Sequence, residues 1–136
     1  MKVSVTRKEH FNAAHRLHVP DWSEEQNREF FGLCNNKNFH GHNYTLYVKV
    51  TGAVDPVSGY LVDLKWLSEI IKLEVKERFD HRNLNLDCDE FKNLNPTAEN
   101  ISMVIWKLLR KRLPEHLDLK ITLYETERNS VEFSGE

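Results

Sequence analysis

The chain has 136 residues, of which 40% are hydrophobic and 29% are charged, and its formal net charge is −2. This composition is typical of a globular protein long enough to bury a core, and we expect a single domain over residues 1–136. The small net charge excludes recognition of nucleic acid or an anionic membrane by bulk electrostatics. No apolar run approaches the ~20 residues of a membrane span, and the start of the sequence lacks a signal-peptide pattern. We therefore expect a cytoplasmic protein.

Two long strands are predicted in the first half of the chain. Alternating apolar residues over 2–15 end in His15, and a second alternating run over 40–52 begins with His40 and His42. Side chains two residues apart in a strand point to the same face, so a hairpin of these strands would bring the three imidazoles together. Three histidines without a fourth protein ligand are typical of catalytic zinc, although iron, nickel and copper also bind imidazole.

Capping residues predict short helical segments after each of these strands. Ser23 begins one or two helical turns that end near Gly32. Asp63 is the expected N-cap of a helix over about 64–78, with Leu64 on its buried stripe.

The second half of the chain predicts one more long helix and two more strands. Residues 83–95 are rich in Asn and Asp and are expected to be irregular. A helix from Pro96 or Thr97 to about Leu113 follows, and then alternating strands near 119–123 and 131–133. The order β-β-α-α-β-β favours an α+β domain, in which a four-stranded antiparallel sheet carries both helices on one face.

Several residues outside the histidine group have side chains suited to acid–base chemistry. A nearby cation would lower the pKa of Cys34 and produce a thiolate, whereas Cys88 fits the alternative of a small buried hydrophobe better. Asp80 can orient His81, although both could instead form local helix caps. Glu125 has a core-facing position and therefore needs a partner, either an N–H-rich ligand such as a 2-amino-4-oxo heterocycle or a structural Lys or Arg.

The sequence resembles the 6-pyruvoyl-tetrahydropterin synthase family in six segments that span nearly the whole chain. They are Phe11–Leu17, Phe31–Asn36, His40–Tyr44, Asp80–Leu84, Thr97–Asn100 and Tyr124–Thr126. The resemblance implies the tunnelling fold, in which three subunits close a β-barrel and two trimers stack as a homohexamer. Closure of this barrel would cover the sheet edges of each subunit.

The resemblance also implies a reaction, the conversion of 7,8-dihydroneopterin triphosphate to 6-pyruvoyl-tetrahydropterin with elimination of triphosphate. Zinc would hold the hydroxyls of the substrate side chain and acidify the neighbouring C–H bonds. Arg16 and Lys37 are candidates for contact with the triphosphate. The implied roles are zinc ligation by His15, His40 and His42, proton abstraction by Cys34, relay from a neighbouring subunit by Asp80 and His81, pterin anchoring by Glu125, and further pterin contacts by Thr97 and Glu99.

Two other functions compete with this one. The 6-carboxy-tetrahydropterin synthase of queuosine biosynthesis uses the same substrate and zinc site but releases acetaldehyde. Three residues usually separate its cysteine from the His-Gly-His motif, whereas five residues separate Cys34 from His40. A domain that binds zinc and pterin without turnover would need neither Cys34 nor His81. The chain departs from the family at Leu33, Lys37 and Phe39, where a basic residue, proline and glycine are common.

Overall fold

The computed structural model describes residues 1–136 and shows a long antiparallel hairpin at its centre. Strands β1 (Lys2–His15) and β2 (His40–Ala53) pair along their whole length, with His15 opposite His40. Buried residues alternate with more exposed ones along β2 from Tyr44 and along the last five residues of β1, as the sequence predicts for a sheet with one covered face, whereas the first part of β1 has no buried residue. Because the pleat has a period of two, this register decides which side chains reach the inner face.

Three shorter strands complete a five-stranded sheet of order β3-β1-β2-β4-β5. Strands β4 (Asp118–Tyr124) and β5 (Ser130–Phe133) form the predicted antiparallel pair, and β4 lies beside β2. Strand β3 (Arg82–Asn83) pairs with β1 in parallel. The α+β class is confirmed. The four expected strands form an antiparallel sheet, and the structure differs only in the fifth strand, β3, which adds a short parallel edge. A two-residue strand has no alternation that a sequence pattern can reveal.

Five helices lie between the strands. Helices α1 to α5 cover Glu24–Phe31, Leu64–Ile71, Glu77–Phe79, Leu84–Asp87 and Ala98–Arg110. The predicted N-caps at Ser23 and Asp63 are confirmed, because each side-chain oxygen accepts a backbone N–H of the first turn. Thr97 caps α5 in the same way, at the start that the sequence placed at Pro96 or Thr97. Helix α4 and a 3₁₀ turn at Asp89–Phe91 occupy the stretch that was expected to be irregular.

A π-helical segment, Lys72–Lys76, joins α2 to α3 and positions a buried carboxylate. Glu74 is 8% exposed and lies 2.8 Å from Arg112 and 3.0 Å from Arg78. Burial alone would raise the pKa of Glu74, but the hydrogen bonds from these guanidinium groups outweigh it and lower that pKa. The predicted helix over 64–78 is therefore continuous, but its middle part is π-helical. Leu64, which was expected on the buried stripe, is exposed.

The core lies between the inner face of the sheet and helices α2 and α5. It includes Leu46 and Ile121 from the strands and Leu67 and Ile105 from the helices, all fully buried. Each such side chain stabilises the fold by ~1.5–3 kcal/mol relative to its exposed state. None of the helices has the length and apolar character to cross a membrane. The apolar lining stops at Tyr44, beyond which the inner face carries histidines.

Candidate metal centre and active site

Three imidazoles meet where the β1–β2 hairpin opens. The register places His15 directly opposite His40, and His42 lies on the same face two residues further along β2. The Nε2 atoms of His15 and His40 are 3.0 Å apart. One ring nitrogen from each of the three residues lies within 4.8 Å of the others, so this group could hold a metal ion.

The surroundings of His15 keep its imidazole neutral and oriented. The side chain is fully buried, and its Nδ1 lies 2.7 Å from the carbonyl oxygen of Pro96. A carbonyl oxygen can only accept, so Nδ1 carries the proton and the Nε2 lone pair faces the other histidines. Burial, together with the nearby His40 and His42, lowers the pKa of His15 to about 4 despite the Pro96 bond. A carbonyl that orients a ligating imidazole is the usual support of a metal site.

Two ring nitrogens of this cluster have no hydrogen-bond partner although they are buried. They are Nδ1 of His40 and Nε2 of His42. An unpaired buried polar atom costs ~1–3 kcal/mol, and a cation bound by His42 Nε2 would remove that cost at one of them. Burial also lowers the pKa of His40, with the charge of His42 adding to the effect, and metals bind the neutral form of imidazole. The donor set therefore fits a borderline metal ion with a preference for nitrogen.

The carboxylate of Glu125 borders the histidine cluster. Glu125 follows the last residue of β4, and its two oxygens lie 3.9 Å from Nε2 of His15 and 3.8 Å from Nε2 of His42. Its side chain is 25% exposed, which leaves it accessible to a ligand from the open side. No Lys or Arg pairs with it, so the structural partner that the sequence left open is absent. A carboxylate in this position can accept N–H groups of a ligand beside the metal.

Cys34 is brought to the cluster by a sharp change of helix type. Helix α1 ends at Phe31 and is capped by Gly32, whose φ of +59° is a left-handed conformation that glycine adopts without steric cost. A single 3₁₀ turn, Gly32–Asn35, then carries the cysteine, and the backbone N–H of Leu17 donates to the Cys34 carbonyl at 2.9 Å. Burial and the negative charge of Glu125 raise the pKa of Cys34. The protein groups alone thus oppose thiolate formation, so the expected lowering of this pKa requires a cation.

Asp80 and His81 form a dyad at the edge where β1 meets β3. The Asp80 carboxylate accepts the Asn12 backbone N–H at 2.9 Å and lies 3.1 Å from Nδ1 of His81. Burial would raise the pKa of Asp80, but these two bonds lower it below its ordinary value. His81 is 77% exposed, has a left-handed φ of +61°, and makes no hydrogen bond to Cys34 within the chain. The sequence-predicted site residues are therefore divided between an inner cluster and this exposed dyad.

The family assignment follows from the sequence profile. The profile of the family described as 6-pyruvoyl tetrahydropterin synthase matches residues 4–136. The chain belongs to this family.

Relatives with known names extend over the same length. The 6-pyruvoyl tetrahydrobiopterin synthase of Homo sapiens is 38% identical over 135 residues, which cover 99% of this chain and 93% of the human protein. The structure of Caenorhabditis elegans 6-pyruvoyl tetrahydropterin synthase matches with a TM-score of 0.94 at 40% identity, covering 100% of this chain and 97% of that one. The dihydroneopterin monophosphate aldolase of Pyrococcus furiosus is 35% identical over 133 residues, with 97% of each chain covered.

The 6-pyruvoyl tetrahydropterin synthase resemblance also assigned Thr97 and Glu99 to the pterin. The Thr97 hydroxyl caps α5 by accepting the Asn100 N–H at 3.1 Å, and Glu99 is exposed in the first turn. The preceding Pro96 is the residue that touches His15, so this helix start does border the cluster. Neither side chain contacts the three imidazoles within the chain.

Sequence reasoning missed the groups that hold the inner cluster in place. The Pro96 carbonyl left no sequence signal, because any residue supplies the same oxygen. Asn35 is 4% exposed, and its side-chain amide donates to the Leu17 carbonyl at 2.8 Å. The available signal was an Asn directly after the candidate thiol, since a buried Asn needs hydrogen-bond partners. In the sequence this Asn was instead interpreted as a turn former. Cys88 is a buried thiol donating weakly to the Arg78 carbonyl, as expected of a small hydrophobe.

Proposed function

We propose that this chain is a zinc-dependent 6-pyruvoyl-tetrahydropterin synthase, a lyase that converts 7,8-dihydroneopterin triphosphate to 6-pyruvoyl-tetrahydropterin and triphosphate. The observation that carries the proposal is the group of three imidazoles with the Glu125 carboxylate beside two of them. The named relatives support this activity and not the carboxy alternative. The activity would lie in one pterin synthase domain over residues 1–136.

His15, His40 and His42 would hold the zinc ion. Bound there, zinc would act as a Lewis acid toward substrate hydroxyls and increase the acidity of the adjacent C–H bonds. Three imidazoles without a fourth protein ligand would leave the metal open to the substrate. The chain prepares this site by keeping the His15 proton on Nδ1 through the Pro96 carbonyl, so that no proton has to leave the inner nitrogen.

Glu125 and Cys34 would act on the substrate from the same side. The Glu125 carboxylate would accept hydrogen bonds from the pterin amino and ring N–H groups and fix the heterocycle beside the metal. Cys34, as the thiolate, would then take a proton from the substrate side chain. Burial and the neighbouring Glu125 carboxylate raise the pKa of the Cys34 thiol. A bound cation and the substrate would therefore have to favour the thiolate.

Asp80 and His81 would complete the relay from a neighbouring subunit of a homohexamer. The support is that the dyad is preformed and exposed but makes no contact with Cys34 in its own chain. Asp80 fixes the imidazole on one side, and the backbone N–H of His81 donates to the Asn12 carbonyl at 2.6 Å. Thr97 and Glu99, at the border of the inner cluster, would contact the pterin.

The reaction is tested by incubating the zinc-loaded protein with dihydroneopterin triphosphate and identifying the products by mass spectrometry. We expect a pyruvoyl pterin and triphosphate. Acetaldehyde with a carboxy pterin would instead establish the queuosine-type reaction, and unchanged substrate would indicate a binding protein. Cys34→Ala should keep bound zinc and the native circular dichroism spectrum but lose turnover, and full activity in this variant would remove the thiol from the mechanism.

The shared site is tested by mixing two inactive variants, Cys34→Ala and His81→Ala, and allowing their subunits to exchange. In a mixed oligomer about a quarter of the sites would combine an intact thiol with an intact imidazole, so activity should return to about that level. The double variant mixed with either single variant is the control and should stay inactive. No recovery, with exchange verified by mass, would place the relay within one chain.

A further inference from the structure

The connection that follows β1, residues 16–19, has no regular secondary structure and is held by asparagine side chains. The Asn85 amide accepts the Arg16 N–H at 2.8 Å and donates to the Arg16 carbonyl at 2.9 Å. The Asn27 amide accepts the Val19 N–H at 2.8 Å and donates to the Val19 carbonyl at 3.0 Å. Because an amide group carries both a donor and an acceptor, each side chain replaces the pairing that a neighbouring strand would provide.

A third asparagine, Asn35, joins the 3₁₀ turn that carries Cys34 to the middle of this connection. Its amide nitrogen donates to the Leu17 carbonyl at 2.8 Å and lies 3.2 Å from Nδ1 of His18, which accepts. In the other direction the Leu17 N–H donates to the Cys34 carbonyl at 2.9 Å. The Arg16 Nε adds a bond to the Asn35 carbonyl at 2.9 Å. Several bonds fix both the position and the orientation of the turn, which a single bond could not do.

The same contacts determine where the thiol lies relative to the imidazoles. The connection begins directly after His15, whose place in β1 is fixed by its pairing with His40. The loop 36–39, which leads from the turn to His40, makes hydrogen bonds only with itself and with the preceding 3₁₀ turn. The negative charge of Glu125 raises the pKa of Cys34, so the thiol lies near the carboxylate that borders the histidine cluster. The turn is therefore anchored through the connection and not through the loop.

We propose that Asn35 is a positioning residue, whose amide holds the Cys34 sulfur where it takes a proton from the substrate. The inference rests on the proposed function. In that step a C–H bond of the substrate breaks, the proton passes to the thiolate sulfur and the electron pair stays on the substrate. Such a transfer depends steeply on the approach of the reacting atoms, and a displacement of ~1 Å can cost ~100-fold in rate. Asn35 makes no hydrogen bond to the imidazoles or to Glu125, so it acts through Cys34.

The role is tested by comparing Asn35→Ala with Asn27→Ala, since both remove a buried amide that binds the same connection. In the zinc-loaded protein, Asn35→Ala should lower kcat about 10- to 100-fold with KM nearly unchanged, because only the proton-transfer step is disturbed. Asn27→Ala should keep kcat within about twofold, because its Val19 bonds lie outside the residues that touch the Cys34 turn. Equal losses of kcat in the two variants would overturn the proposal.

A second variant guards against a loss that comes from an altered packing volume. Asn35→Asp keeps the size of the side chain but presents oxygens to the Leu17 carbonyl and to Nδ1 of His18 in place of the donor. It should lower kcat at least as much as Asn35→Ala does, and a wild-type kcat in Asn35→Asp would overturn the proposal. Circular dichroism and zinc content verify that each variant is folded and loaded.

Alkylation of Cys34 by iodoacetamide reports the position of the thiol without any turnover, and peptide mass spectrometry separates it from the buried Cys88. In Asn35→Ala a released turn moves the thiol away from Glu125 and toward solvent, so its pKa should fall and alkylation should be at least about threefold faster. Asn27→Ala should react as wild type does. An unchanged rate and pH profile in Asn35→Ala would overturn the proposal. A wild type that makes no pyruvoyl product, while alkylation separates the two variants, would contradict the proposed function and leave the placement of the thiol by Asn35 standing.

Discussion

The buried imidazole of His15 predicts that the metal-free protein loses stability in mildly acidic solution. Burial lowers the pKa of His15 from 6.5 to about 4 in the folded state, and unfolding returns it to its ordinary value. Between these two pH values the unfolded chain binds a proton that the folded chain does not. The contribution to stability is therefore complete above about pH 6.5 and is lost as the pH falls toward about 4.

The size of this loss follows from the separation of the two pKa values. Each unit corresponds to ~1.4 kcal/mol, so the complete transition is worth ~3.4 kcal/mol, of which ~2 kcal/mol falls between about pH 7.5 and pH 5. The lowered pKa of His40 adds to the loss in the same direction. Restricting the range to pH 5 and above keeps ordinary carboxylates ionised, so the histidines dominate the change.

Urea unfolding of the chelator-treated protein at both pH values measures this loss directly. The variant His15→Gln, which keeps an N–H donor for Pro96, should lose most of the pH dependence, whereas the exposed His116→Gln should keep it. Saturating zinc should stabilise the protein most at the higher pH, since it binds only neutral imidazoles. A metal-free wild type equally stable at both pH values, or an unchanged slope in His15→Gln, would refute the reasoning.

Two substitutions outside the histidine cluster test the fold around the site. Glu74→Gln should lower the free energy of unfolding by ~2 kcal/mol, because Arg78 and Arg112 lose a charged partner but remain partly exposed. An unchanged urea midpoint would contradict this. At Phe39, whose φ is +69°, Gly should be more stable than Ala by ~1 kcal/mol, the reverse of the order at the helical Lys107. The same order at both positions would show that Phe39 carries no backbone strain.

The geometry of the histidine cluster could be predicted because a strand has a period of two residues. His15 is the last residue of the first alternating run and His40 is the first residue of the second. Any register that buries the apolar faces of both strands therefore also places His42 on the inner side. Helix N-caps were predictable for a similar reason, since one side chain satisfies donors of its own turn. The N-caps depend on residues that are neighbours in sequence, and the histidine cluster depends on the two-residue alternation of the strands.

The features that escaped prediction depend on contacts between distant segments. The parallel pairing of Arg82 and Asn83 with β1, and the Pro96 carbonyl on His15, are set by packing of the irregular stretch against the sheet. The π-helical segment keeps the apolar spacing of an ordinary helix, so the pattern does not reveal it. The departure at Phe39, where the family commonly has glycine, was visible, but its left-handed backbone was not.

In the β1–β2 hairpin, the strands and their connection carry different functional groups, and this separation is relevant to how such enzymes diverge. The paired strands fix the imidazoles, whereas the connection between His15 and His40 supplies the thiol. Lengthening or shortening a loop changes its closure entropy slowly, by only ~0.6 kcal/mol for each doubling. Insertions and deletions there can reposition Cys34 while the three histidines stay in register. New reactions could thus evolve by remodelling one surface connection, without rebuilding the histidine cluster.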